Sequence, residues 1–313
     1  MKKRLEEIYQ IVFRYINVDL LRANNTILIY DREVKHINFN SPFIKYEHSK
    51  DYDAFKEKVK NFINTMYEKC ENFDSKIFEK NFEITIVNLQ RKDVEVTGKI
   101  RSGTINKLTI NDLSATEHEL IHLSTIDERP MDNKFMPFYE GYTELITKRY
   151  FKKADTSYIF NVKIMQIIES LLGKDLLEKE FFKGNLYLAL DKLYEYETKE
   201  NIDLFFKYFG EIHKIYCNPD YHKHLDQIQS LIDRVYDILF SCLKNKIKKT
   251  KNILEKIQCF DKKSWIGKIK ISKGKESFYI NLLDKDRIDR LYYEVMNNYF
   301  DNFLEDTKKE INL

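Results

Sequence analysis

Five consecutive residues, His118-Glu119-Leu120-Ile121-His122, constrain this chain more than any others in it. On an α-helix, two histidines four apart share a face and stand one turn from each other, close enough to meet at one point. On that face both imidazoles can reach one zinc ion, and Glu119 stands beside the metal to take a proton from water. Zinc lowers the pKa of a bound water to about 7, which makes hydroxide available at neutral pH. The flanking sequence agrees with a helix. Ser114-Ala115-Thr116-Glu117 reads as a capping box, and no Gly or Pro interrupts the run from Ala115 to Ser124. Leu113, Leu120, Ile121 and Leu123 supply apolar surface to bury.

Catalytic zinc usually takes three protein ligands and leaves a fourth position open. The segment Phe138-Tyr139-Glu140-Gly141-Tyr142-Thr143-Glu144 offers the third, on a helix that Pro137 can open without losing a hydrogen bond. Glu140 is assigned as the zinc ligand. Glu144, one turn later, is assigned as a supporting carboxylate that accepts the other ring N–H of a ligating histidine, His118 by preference. Exchanging the two, with Glu144 on the metal, is the alternative. Without the histidines, two solvated glutamates on a helix face would be the default reading.

His118-Glu119-x-x-His122, 17 intervening residues and then Glu140-Gly141-x-Thr143-Glu144 resemble the gluzincins, zinc metallopeptidases with glutamate as third ligand. The Tyr139 to Glu144 stretch is similar to the Glu-Gly segment of the M1 aminopeptidases, and the Glu140/Glu144 pair to the thermolysin-like enzymes. The resemblance covers roughly Leu108 to Thr147, about 40 residues, and identifies no subfamily. It implies a hydrolase with one Zn2+ per chain and a peptide or protein substrate. It also implies a zincin core in which a strand edge above the zinc helix, one of those between residues 82 and 110, pairs with substrate backbone. Related enzymes steady the oxyanion with a Tyr or His well downstream. Tyr221 and His222, in Asn218-Pro219-Asp220-Tyr221-His222-Lys223-His224, are the candidates here, with His213 and Tyr216 close by in sequence. The plainer reading gives these loop side chains no special role. The exopeptidase motif Gly-x-Met-Glu-Asn is absent, which weakens an aminopeptidase assignment, and endo- versus exopeptidase action stays open.

The expected fold class is α+β. A small mixed sheet with active-site helices occupies residues 1–155, a mainly helical lobe residues 156–259, and a β-hairpin plus C-terminal helix residues 260–313. Helices are expected at 3–16, 53–70, 159–172, from 176 to 178 onward, and at 184–196, 202–215, 225–247 and 286–306. Strands are expected at 25–40, 82–88, 94–100 and 104–110, with Gly103 at a turn and a hairpin over 265–283 whose tip is Lys273-Gly274-Lys275. Eight Gly and four Pro in 313 residues fit a largely helical chain.

Charged residues interrupt every apolar stretch near the N-terminus, and no run approaches the roughly 18 apolar residues of a membrane span. Cys70, Cys217, Cys242 and Cys259 form no C-x-x-C, so buried free thiols and a cytoplasmic location are expected. Residues 244–275 hold 12 Lys against Glu255 and Asp261. That block reads as a solvated lysine surface, with nucleic-acid association as the alternative. A catalytically silent zincin-fold binding protein is the other alternative, and the intact Glu119 argues against it.

Overall fold

The computed structural model describes residues 20–23, 25–28, 50–83, 85–89, 98–101, 106–110, 112–125, 135–152, 158–260, 262–273 and 276–311. The expected helix at 3–16, much of the strand expected at 25–40, the Gly103 turn and the hairpin-tip residues 274–275 lie outside these. The described residues form an α+β structure. The chain divides into two compact units: Met1–Pro130 with Ile146–Ala154 and Phe181–Gly184, and Met131–Leu145 with Asp155–Glu180 and Asn185–Leu313.

The first unit contains a mixed sheet of β1 (Leu20–Ala23), β2 (Asn25–Leu28), β3 (Thr85–Leu89), β4 (Gly98–Arg101) and β5 (Asn106–Ile110), in the order β1-β2-β3-β5-β4. Among the described strands of this sheet, only β3 and β5 pair in parallel. β4 pairs antiparallel with β5, from Gly98 opposite Ile110 to Arg101 opposite Lys107, and ends the sheet among the described residues. Leu108 and Ile110, two apart on β5, are both buried, as strand alternation requires.

Helix α1 (Lys50–Lys69) forms because Phe55, Val59, Phe62, Ile63 and Met66 recur at helical spacing, and all five are fully buried. Phe62 is the centre of an aromatic cluster with Phe73, Phe78 and Phe151, at ring separations of 6.0, 5.4 and 5.6 Å. Helix α2 (Ser75–Glu83) adds Phe78 and Phe82 to the same core. Phe82, expected to open a strand, therefore closes a helix, and β3 starts at Thr85. The i, i+4 pair Phe78–Phe82 buries together at 5.6 Å and overrides the short alternating pattern that follows it. The sequence motif lies on the next helix, α3 (Thr116–Leu123), which packs on α1, α2 and β4.

Helix α4 (Met136–Phe151) contributes to both units, the second through Leu145 and the first from Ile146. Within the second unit Phe138 is fully buried among Phe205, Phe206 and Phe209, with ring separations of 5.7, 5.4 and 4.7 Å. There follow α5 (Ile159–Leu172), α6 (Lys174–Phe182), α7 (Leu186–Leu190), which runs into a 3-10 turn, α8 (Lys199–Tyr216) and α9 (Leu225–Lys249). Two short helices, α10 (Ile253–Gln258) and α11 (Lys262–Trp265), lead to the hairpin β6 (Lys268–Lys273) and β7 (Glu276–Asn281) and then α12 (Lys285–Ile311). Trp265, expected in the hairpin, instead ends α11 and is fully buried against Tyr236 and Phe240 of α9. The Gln229 side chain of α9 acts like a short strand toward the hairpin, donating to the Asn281 carbonyl and accepting from its N–H.

Candidate metal centre

An eight-residue helix is too short to persist on its own propensity, so α3 depends on its surroundings. All eight residues, Thr116 to Leu123, are buried. Its start differs from the expected capping box. The Asp112 side chain accepts from the Ser114 N–H at 2.7 Å, and a 3-10 turn over Leu113–Ala115 leads into the helix. Ala115, at the N-cap, gives no side-chain bond. Asp112 can accept two residues ahead in an Asx-type turn, which moves the helix start two residues past the Ser114 of the sequence pattern. Glu117 is drawn instead to Lys58 of α1, at 2.7 Å.

The last carbonyls of a helix lack intrahelical partners. Here side chains satisfy them: Asn81 Nδ2 donates to the Leu123 carbonyl at 2.8 Å, Ser124 Oγ to Leu120 at 2.8 Å, and Thr125 Oγ1 to His122 at 2.9 Å. The histidine-bearing turn is thereby pinned from α2 and from its own C-terminal residues.

His118 and His122 are mostly buried, and their Nε2 atoms face each other at 3.1 Å. Tetrahedral ligands with zinc–nitrogen bonds of 2.0–2.1 Å stand roughly 3.3 Å apart, so the two nitrogens already have close to the separation of a chelating pair. Glu140 on α4 completes the group: one ligand atom from each of His118, His122 and Glu140 lies within 4.8 Å of the others. Two imidazoles and one carboxylate form a donor set that could hold a metal ion, and zinc accepts such a set. The residues present fit the ion. Glu119 is buried beside the pair, and Glu144 is buried one turn beyond Glu140.

Glu140 sits in a tightly packed turn. A Cβ added to Gly141 would lie 2.8 Å from the backbone carbon, carbonyl oxygen and Cβ of Asn161 on α5. Only glycine permits α4 to approach α5 this closely. Asn161 is fully buried, and its Nδ2 donates to the Pro137 carbonyl in the first turn of α4 at 2.8 Å.

Two side chains of α8 feel the charge of Glu140. Burial holds the His213 imidazole below its ordinary range, and Glu140 pulls it the other way. Although Cys217 as a whole is exposed, partial desolvation of its sulfur pushes the thiol up to about 11, with Glu140 adding to the rise. Cys217 Sγ lies 3.7 Å from His213 Nε2. Tyr158, at the N-cap of α5 with φ of 58°, lays its ring against His213 at 5.7 Å and 22°. That left-handed backbone is unfavourable for a bulky residue, by about 1–2 kcal/mol.

Tyr221 and His222 occupy a short 3-10 turn, Tyr221–His224, in which Tyr221 packs on Tyr216 with ring centroids 5.0 Å apart. His213, a near neighbour in sequence, is coupled electrostatically to Glu140, as is Cys217. Sequence reading missed Asn161, Tyr158 and Cys217. The one signal pointing to them was a glycine inside a helical pattern at Gly141, which marks close approach of another backbone.

All four cysteines are free, with Cys217 exposed and the other three buried. In the lysine-rich segment, Lys246 Nζ donates to the Leu171 carbonyl and Lys249 Nζ to the Glu195 carbonyl, so these two lysines serve helix ends. Among the described residues no helix is long and apolar enough to cross a membrane. Comparison with protein-family models, curated proteins and solved structures finds no match to this chain.

Proposed function

We propose that this chain is a zinc-dependent peptidase with a zincin-like core, its metal held by His118, His122 and Glu140. The observation that carries the reading is the convergence of these three ligand atoms within 4.8 Å, beside a buried Glu119. When bound there, zinc supplies a Lewis acid and a water acidic enough to ionise near pH 7.

The chain's own groups do the rest. Glu119 accepts the proton of the attacking water and carries it to the departing amine. Glu144 steadies a ligating imidazole by accepting its second ring N–H. His213 donates a hydrogen bond to the carbonyl oxygen as negative charge develops on it, a role that Tyr221 and His222 held in the sequence reading. β4 packs on α3 and ends the sheet among the described residues, which favours an extended peptide as substrate: main-chain bonds along Gly98–Arg101 would hold it with little side-chain selectivity.

The test is zinc content measured beside cleavage of a peptide library. Glu119→Gln is expected to keep about one zinc per chain and lose cleavage, because the amide cannot accept the proton. His118→Ala is expected to lose both. Undiminished cleavage by Glu119→Gln would refute the mechanism, and a zinc-free wild type after reconstitution at neutral pH would refute the metal centre.

A further inference from the structure

Asn161 makes a second contact besides the one to α4. The same Nδ2 that donates to the Pro137 carbonyl lies 3.0 Å from His213 Nδ1. An amide nitrogen carries two N–H groups and no acceptor. Turning the amide over would aim Oδ1 at the Pro137 carbonyl, acceptor against acceptor, so the carbonyl fixes which end faces inward. The remaining N–H then meets His213 Nδ1, which must accept, and a neutral imidazole that accepts at Nδ1 carries its proton on Nε2.

Two further features agree. Asn161 Oδ1 is buried with no hydrogen-bond partner, which is costly, so the residue is held there for its two donors. Tyr158, stacked on the same imidazole, restricts the ring's rotation from a second side. His213 is thus held in plane by Tyr158 and in tautomer by Asn161, on the amide that also anchors the turn carrying Glu140.

We infer that Asn161 is a positioning residue that locks His213 as the Nε2–H tautomer and ties that donor to the first turn of the Glu140 helix. The inference rests on the peptidase reading for its catalytic consequence and on geometry alone for the tautomer. A histidine in the other tautomer would present a lone pair at Nε2 and repel a developing oxyanion. By keeping the N–H there, Asn161 supplies the proton position without touching substrate.

The experiment is nitrogen NMR of the full chain, zinc-loaded, with 15N-labelled histidine and the His213 signals assigned by loss in His213→Gln. In the wild type His213 is expected to show a protonated Nε2 and an unprotonated Nδ1. Asn161→Ala is expected to give a tautomer mixture, and Asn161→Asp, which presents acceptors to the ring, to favour Nδ1–H. In parallel, kcat of Asn161→Ala should fall by roughly 10–100-fold with KM and zinc content little changed, the usual scale for a partner one bond removed from the chemistry. An Nδ1–H tautomer in the wild type would overturn the inference without any variant having to fold. So would an unchanged Nε2–H signal in Asn161→Ala. The expected spectra without peptide cleavage would overturn the peptidase reading and leave the lock between Asn161 and His213 standing.

Discussion

Replacing Gly141 by alanine tests whether α4 and α5 meet as closely as described. The new methyl would fall 2.8 Å from three atoms of Asn161, two of them backbone, against an ordinary contact of 3.4 Å or more. Backbone cannot rotate aside, so the helices must part by about 0.6 Å locally or strain their side chains. Overpacking of this kind costs about 1–3 kcal/mol. Alanine also favours the helix over glycine by about 1 kcal/mol, which blurs the single measurement. Gly210 in α8 supplies the control. It is helical too, with nothing within 4 Å of an added Cβ, so Gly210→Ala gains the propensity and meets no obstacle. The propensity term cancels between the two variants, leaving a gap of about 1–3 kcal/mol. At roughly 2–4 °C per kcal/mol for a protein of this size, Gly210→Ala should melt about 2–12 °C above Gly141→Ala, by circular dichroism under identical conditions. Zinc affinity, read by competition with a chromogenic chelator, should weaken in Gly141→Ala and stay unchanged in Gly210→Ala, because only the first displaces the turn that bears Glu140. Equal rises in Tm for both variants would refute the close approach and, with it, the anchoring of Glu140 by α5.

Zinc should raise Tm of the wild type, because a ligand that binds only the folded chain stabilises it by about 2.7 kcal/mol at a hundredfold excess over Kd. His122→Ala should lose most of that rise while melting near the metal-free wild type, and a full rise in the variant would exclude His122 as a ligand. Cys217, with its thiol pushed up to about 11, should react slowly with iodoacetamide at pH 8, and its rate in the metal-free chain should climb about tenfold per pH unit toward pH 10. Glu140→Gln removes a negative charge that opposes the thiolate, so the Cys217 rate at fixed pH should increase. Peptide-resolved mass spectrometry reads both effects, and a rate matching an ordinary exposed thiol would contradict the environment described for Cys217.

Features governed by chain-local geometry were legible in the sequence. The four-residue spacing of His118 and His122 puts both imidazoles on one helix face, where their Nε2 atoms stand 3.1 Å apart. The apolar spacing of α1 and the long helices of the second unit followed from the same period. Local competition defeated finer readings. Ser114 and Glu117 satisfy a capping pattern, but the Ser114 N–H goes to Asp112 and Glu117 pairs with Lys58, two partners outside that pattern. Phe82 alternates plausibly with the residues after it, yet its packing on Phe78, which itself packs on Phe62, holds it in α2.

What the sequence could not supply is pairing across helices. Asn161 and His213 are 52 positions apart, and neither has a spacing partner that marks it. Asn161 in an apolar helix reads as an isolated polar residue, and His213 as one basic group among many on α8. Their connection becomes visible only when Gly141 brings α4 against α5, which puts the amide between the Pro137 carbonyl and the imidazole. The glycine was in plain view as a break in helix propensity beside the proposed ligand. Its physical meaning, that another backbone passes within van der Waals reach, directs the search to the partner helix and from there to the residue held by that partner. The same route applies to any helix that carries a chemically critical side chain next to a glycine: the residue facing the missing Cβ is the first place to look for what positions the site.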